Sequence, residues 1–209
     1  MPKRTRIKIC GLTREEDVVS AVEAGADAIG FVFYPPSSRA IDPDRALQLV
    51  RLVPPFVTTV GLFVNAEAGD VRAAIDAAGL QLLQFHGDED EAACNRFGVP
   101  YIKAARMRPG IDLINYATSF PSARGILVDA YVDGFGGGGK VFDWGLIPEQ
   151  GLDKPLILSG GLNSDNVTEA VARVRPWAVD VSSGVEQAKG IKDPQRIAAF
   201  VAGVRHADG

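Results

Sequence analysis

The stretch 6–13, RIKICGLT, changes character halfway along. Ile7 and Ile9 alternate with Arg6 and Lys8, the period of a short strand, and the alternation stops at Cys10-Gly11. Thr13 followed three residues later by Glu16 has the form of a capping box, which predicts a helix opening there. A cysteine thus stands where a strand hands over to a helix. In a barrel of alternating strands and helices that position is the mouth, where chemistry is done.

Working outward, the same unit recurs along the chain: a short run of Val, Ile, Leu or Phe, a break of Gly, Pro, Ser or Asp, then helical periodicity. Residues 13–24 place Val18, Val19 and Val22 on one face, with Gly25 as a C-terminal cap. Residues 28–33, AIGFVF, are nearly continuous in apolar character, as expected of a parallel strand covered on both faces. Asp42 and Pro43 supply the cap and first-turn proline of a second helix that ends before Pro54-Pro55. Further strands are expected over 57–64, 81–85, 101–105, 125–128, 155–158 and 178–181. Further helices are expected over 68–78, from the cap Asp88 to about 97, over 111–118, from Asp143, and over 163–173 and 194–204. Eight such units without a composition break predict an α/β protein, a single-domain (β/α)8 TIM barrel in which residues 1–209 form one catalytic domain. A flavodoxin-like or Rossmann-like sheet would need fewer strands. At 209 residues, against about 250 for a typical barrel of this kind, the loops must be tight.

Composition narrows the classes of function. Hydrophobic residues at 46% and charged residues at 23% describe an ordinary globular chain, not a disordered one. With 26 acidic against 22 basic residues, the net charge of −4 argues against a nucleic-acid surface and against attraction to anionic membranes. An anionic ligand must then be held by local donors. The start MPKRTR is basic like that of a signal peptide, but Lys8 and Gly11 break the apolar run after it, so a mature cytoplasmic start is expected. No segment approaches the roughly 18 consecutive apolar residues of a spanning helix. Cys10 and Cys94 fall in different expected elements, which gives no disulfide framework and suits a reducing compartment. No apolar outer face can be located, which leaves a monomer and a homodimer both open.

Barrels of this class often bind phosphate at the loops after strands seven and eight. Those loops read Ser159-Gly160-Gly161 and Ser182-Ser183-Gly184. Glycine lets backbone N–H groups approach an oxyanion, and a short helix after Ser183 would add its positive end. One such loop alone reads as a tight turn or a helix cap; two at adjacent strand ends favour an anion site. A third cluster, Gly134 to Gly139, matches the spacing G-x-G-x-x-G, but it stands away from both strand end and helix start. A nicotinamide cofactor is therefore rejected, and a mobile loop folding over the site is expected instead.

The first and sixth strands lead to Cys10 and Asp129, and in an eight-membered ring they flank the seven and eight pair. A thiol is a base if local donors favour the thiolate, and a carboxyl is an acid if its pKa is raised. Position alone leaves other readings open. Cys10 also reads as a small buried hydrophobe, and Asp129 as a turn or cap residue.

The chain resembles the phosphoribosylanthranilate isomerases of tryptophan biosynthesis. The match is carried by KICGLT (8–13), VGLFVN (60–65), QFHGDE (84–89), LVDA (127–130), FDW (142–144), LSGGL (158–162) and DVSSGVE (180–186), followed by Gly190 and Lys192-Asp193. The resemblance implies that Cys10 is the general base and Asp129 the general acid of an Amadori rearrangement. It also implies that Arg39 binds the anthranilate carboxylate, and that no metal or organic cofactor takes part. The bland reading of Arg39 is a solvated loop residue. His86 is as suited to orienting loops as to touching ligand, Asp180 to a structural hydrogen bond, Asp88 to an N-cap and Cys94 to a helix interior. The chain departs from the family pattern at Gly136 to Gly139, where a threonine is usual, at Ser38 where proline is usual, and at 187–189, which lack the usual Ser and Pro. Other sugar-phosphate barrels would place lysine and glutamate, or an aspartate in the first strand, where this chain has Cys10.

Overall fold

The computed structural model describes residues 4–131 and 142–209. Eight strands form one closed parallel barrel. They are β1 Arg6–Cys10, β2 Ala28–Val32, β3 Thr58–Phe63, β4 Leu82–Phe85, β5 Tyr101–Met107, β6 Ile126–Ala130, β7 Leu156–Leu158 and β8 Ala178–Val181. The ring closes where Arg6 to Ile9 pair with Ala178 to Val181. Helices α1 Glu15–Glu23, α2 Pro43–Val50, α3 Ala68–Ala78, α4 Glu91–Asn95, α5 Leu113–Thr118, α6 Val167–Val174 and α7 Pro194–Asp208 surround it. Between β6 and β7 the described residues hold only a 3-10 turn, Trp144–Leu146, capped by Asp143. The expected glycine-rich lid over Gly134 to Gly139 lies outside the described residues.

The strand period of two sorts side chains into two layers. Ile7, Ile9, Ile29, Phe31 and Phe63 turn outward and are fully buried against the helices. Lys8, Cys10 and their row-mates turn into the barrel. Its lower interior is apolar, with Ile102, Leu127, Ile157 and Ala178 in contact. Above them lies a polar layer containing Lys8, Gln84, Ser159 and Asp180, all buried. The barrel is thus a filled core whose polarity rises toward the C-terminal ends of its strands.

Local signals set several boundaries. Asp42 accepts from the Arg45 N–H at 2.7 Å and Pro43 starts α2, as expected. Elsewhere tertiary partners take over. Thr13 does not cap α1, because its hydroxyl donates to the Gly190 carbonyl at 2.7 Å and the helix starts beyond Arg14. Nor does Val19 share the buried face; it is exposed, and Asp17, Val18 and Ala21 are buried instead. Asp90, not Asp88, caps α4 by accepting from the Ala93 N–H, while Asp88 pairs with Arg106. Helix α6 begins at Val167 because Asn163 and Asn166 spend their side chains on the preceding loop. After β8, a hairpin of β9 Glu186–Ala188 and β10 Ile191–Lys192 appears that the sequence pattern does not announce.

Candidate active site

The C-terminal ends of the strands enclose a cleft of about 790 Å³ of empty space, part of it open to solvent. Cys10, Arg39, His86, Asp129, Gly160 and Ser183 are among the residues lining it. Cys10 ends β1 and is almost fully buried. Burial pushes its thiol up, and Lys8 beside it works in the opposite direction.

Asp129 sits one residue before the end of β6. Its Oδ1 accepts from the Ala130 N–H at 2.8 Å, and its Oδ2 lies 3.1 Å from His86 Nε2. The other ring nitrogen of His86 lies 3.0 Å from the Gln84 side-chain amide. His86, just past the end of β4, therefore orients the carboxyl on β6 across the intervening β5, a contact between residues 43 positions apart that the motif QFHGDE does not reveal by itself.

Arg39 is held, not solvated. Its Nε and Nη2 donate to Glu186 Oε1 and Oε2 at 2.7 and 2.8 Å, and its side chain is only 11% exposed. Lys192, fully buried, donates to the same carboxylate at 2.8 Å and to the Ser182 carbonyl at 3.0 Å. Burial works against charge on Glu186, but Arg39 and Lys192 outweigh it and hold its carboxyl below the usual range. The hairpin β9–β10 thus supplies the clamp that aims a guanidinium into the cleft, and neither Glu186 nor Lys192 was among the sequence candidates.

The two Ser-Gly loops stand side by side. Gly160 has φ +83°, and a Cβ there would meet the Ala130 nitrogen at 2.6 Å, so both backbone sign and space require glycine. Asn166 Nδ2 donates to the Gly161 carbonyl at 3.0 Å and fixes the loop's shape. Gly160, Gly161 and Ser183 line the cleft. Gly184 acts differently, because a side chain on it would collide with the Leu162 carbonyl of the loop after β7. It lets the two loops pack. The expected helix after Ser183 is a single 3-10 turn, Ser183–Val185, too short to supply a helix dipole.

Asp180 is buried, accepting from Lys8 Nζ at 2.7 Å and from Ser159 Oγ at 3.2 Å. Cys94 lies in α4, fully buried, and is not among the residues lining the cleft. Among the described residues no cluster of three or more His, Cys, Asp or Glu side chains converges as a metal site.

Comparison with known proteins gives a consistent result. The sequence profile of the family described as N-(5′-phosphoribosyl)anthranilate (PRA) isomerase matches residues 7–203. The chain is 65% identical over 205 residues to the N-(5′-phosphoribosyl)anthranilate isomerase of Dechloromonas aromatica, covering 98% of each protein. It is 61% identical over 205 residues to that of Methylibium petroleiphilum, covering 98% of this chain and 96% of the relative. Among solved structures, phosphoribosyl anthranilate isomerase from Thermotoga maritima superposes with a TM-score of 0.88 at 42% identity, covering 97% of this chain and 99% of that one. A phosphoribosyl anthranilate isomerase in complex with reduced 1-(o-carboxyphenylamino)-1-deoxyribulose 5-phosphate superposes at 0.85 with 40% identity, with the same coverage. A closed eight-stranded barrel, a thiol and a carboxyl in one cleft, and likeness along almost the whole chain lead to one conclusion: the chain belongs to the N-(5′-phosphoribosyl)anthranilate isomerase family.

Proposed function

We propose that the cleft carries out the Amadori rearrangement of N-(5-phospho-β-D-ribosyl)anthranilate to 1-(2-carboxyphenylamino)-1-deoxy-D-ribulose 5-phosphate, the isomerisation of L-tryptophan biosynthesis, with Cys10 as general base and Asp129 as general acid. One observation carries the assignment of roles. A thiol and a carboxyl line the same cleft as a clamped guanidinium and two Ser-Gly loops. A ligand with a carboxylate at one end and a phosphate at the other meets all four.

Asp129 gives its proton to the ribose ring oxygen, the bond from C1′ to that oxygen breaks, and the anilinic nitrogen forms the protonated imine. The Cys10 thiolate then takes the C2′ proton. The electrons of the imine return to nitrogen, giving an enolamine that tautomerises to the ketone. Because nitrogen serves as the electron sink, the chemistry requires neither a metal nor an organic cofactor. Arg39 presents its planar fork to the anthranilate carboxylate, and Glu186 fixes its direction. The phosphate is held by the backbone of Gly160, Gly161 and Ser183, with Gly184 keeping the loops together.

The same reading takes residues 1–209 as one catalytic domain, cytoplasmic, working as a monomer or a homodimer, which light scattering distinguishes. No helix among the described residues is long and apolar enough to cross a membrane. The direct test supplies phosphoribosylanthranilate generated in situ and follows the loss of anthranilate-type fluorescence. Turnover supports the proposal; binding of a product analogue with no turnover moves the chain to a ligand-binding role.

A further inference from the structure

Lys8 is a buried ammonium that the mechanism above does not use. It stands two residues before Cys10 on β1, so both side chains leave the strand on the same face, into the barrel. Gly30 of β2 pairs with Cys10. A Cβ at Gly30 would lie 2.8 Å from Cys10 Sγ and 3.1 Å from Lys8 Nζ, so thiol and ammonium border the same small space. On the other flank, the β1–β8 register sets Lys8 opposite Asp180, whose Oδ1 accepts from Nζ at 2.7 Å. Ser159 Oγ secures the second carboxylate oxygen at 3.2 Å. Both charged side chains are only 6% exposed. A buried ion pair is a poor source of stability, since desolvation offsets much of the attraction. Its placement has a chemical use if the charge is directed at a third group.

We infer that Lys8 is the positioning residue for Cys10: its ammonium, anchored by Asp180, stabilises the thiolate that takes the C2′ proton, and Asp180 sets how strongly it does so. The inference rests on Cys10 being the base. The charged groups facing Cys10 are Lys8 from its own strand, Asp180 from β8, Lys192 from β10 and Arg39 from the loop after β2. Glu186 holds the last two, and His86 and Asp129 stand across the cleft. Burial pushes the thiol up, Lys8 and Lys192 pull it down, and Asp180 pushes it up. Burial also opposes charge on Lys8, but Asp180 and Cys10 outweigh it and keep the ammonium above the ordinary lysine range. Lys8 therefore keeps its proton through the cycle. The thiol loses a proton to solvent to become thiolate, and the thiolate regains one from C2′ as the new enolamine forms. No other bond is made or broken at Lys8 or Asp180.

The test reads the thiol itself. Ultraviolet absorbance of the thiolate, taken as the difference between wild type and Cys10→Ser, titrates Cys10 without reference to turnover. Cys94, pushed up to about 12 by burial, stays outside the window. Lys8→Met is expected to raise the Cys10 midpoint by about one pH unit or more and Asp180→Asn to lower it, because neighbouring charges shift a pKa by about 1–3 units. Lys8→Arg, which keeps the charge, returns the midpoint toward wild type. In turnover, Lys8→Met is expected to lose about tenfold or more in kcat at neutral pH and to recover as pH rises, with KM within about threefold. Lys8→Met leaves Asp180 buried and unpaired, so the double variant Lys8→Met with Asp180→Asn supplies a charge-free version. Its midpoint is expected above that of Asp180→Asn alone. An unmoved midpoint in Lys8→Met, or single variants that shift it in the same direction, overturns the inference. Failure of Cys10 as base shows separately, as wild-type turnover in Cys10→Ser whatever the Lys8 variants do to the titration.

Discussion

Arg39 is held at the cleft by Glu186, 147 positions away, whose carboxylate accepts from two of its nitrogens. Replacing Arg39 by Met removes a charge-assisted pair worth about 1.5–3 kcal/mol, so KM is expected to rise roughly ten- to hundredfold with a smaller change in kcat. Steady-state kinetics on the in situ substrate checks this, and a change confined to kcat would contradict it. A second prediction follows from the burial of Cys10, which pushes its thiol up. With Cys10 as the proposed base its thiolate is the active form, and kcat/KM is then expected to climb with pH through the region of an ordinary thiol, near 8.5, without levelling. A profile already flat there would contradict it. Cys10 and Asp129 are legible in the sequence because each stands where a strand run breaks toward a loop. The contacts of Lys8, Glu186 and His86 are not, because each has a partner distant in the chain, 172 positions in the case of Lys8 and Asp180.

Elements with self-contained signals lie where the sequence pattern predicts them. Helix α3 runs over the residues its periodicity outlines, and α2 starts at the Asp42-Pro43 pair. Asp42→Ala is expected to cost about 0.5–2 kcal/mol, seen as a lower urea midpoint with an unchanged slope. A wild-type midpoint would show that Pro43 alone fixes the start. The elements that depart from the local pattern share a cause. Thr13 is drawn to Gly190 in the hairpin and Asp88 to Arg106, so residues with good local capping chemistry are used in tertiary contacts. The strands β9 and β10 have three and two residues, too short for any period to show. Yet they bear Glu186 and Lys192, which orient Arg39.

At the scale of the whole molecule, the barrel is closed by β1 against β8, and Ile7 and Ile9 of β1 are fully buried under the helices. Ile9→Ala is expected to destabilise the fold by about 2–5 kcal/mol by denaturant unfolding; a loss below 1 kcal/mol would mean that the helices close over the gap. Closure also joins the ends, because Asp208 at the end of α7 accepts from the Thr5 N–H and hydroxyl at 2.9 and 2.7 Å. Stability at acid pH depends on Glu186, whose carboxyl is held below its usual range. Its contribution is complete above the unfolded value of about 4.3 and is lost as pH falls through the lower folded value. In urea midpoints followed against pH, Glu186→Gln is expected to be less stable near neutrality and to lose less on acidification. The alternation of strand and helix makes the barrel legible along the sequence; the polar layer inside it is not, since its members are single residues scattered among apolar runs.

The central claim, that Cys10 and Asp129 are the base and the acid, is tested most directly by following phosphoribosylanthranilate turnover in Cys10→Ser and Asp129→Asn beside the wild type. Each variant is expected to lose about two orders of magnitude or more in kcat while binding a product analogue as the wild type does. Turnover within a few-fold of wild type in either variant would contradict the assignment.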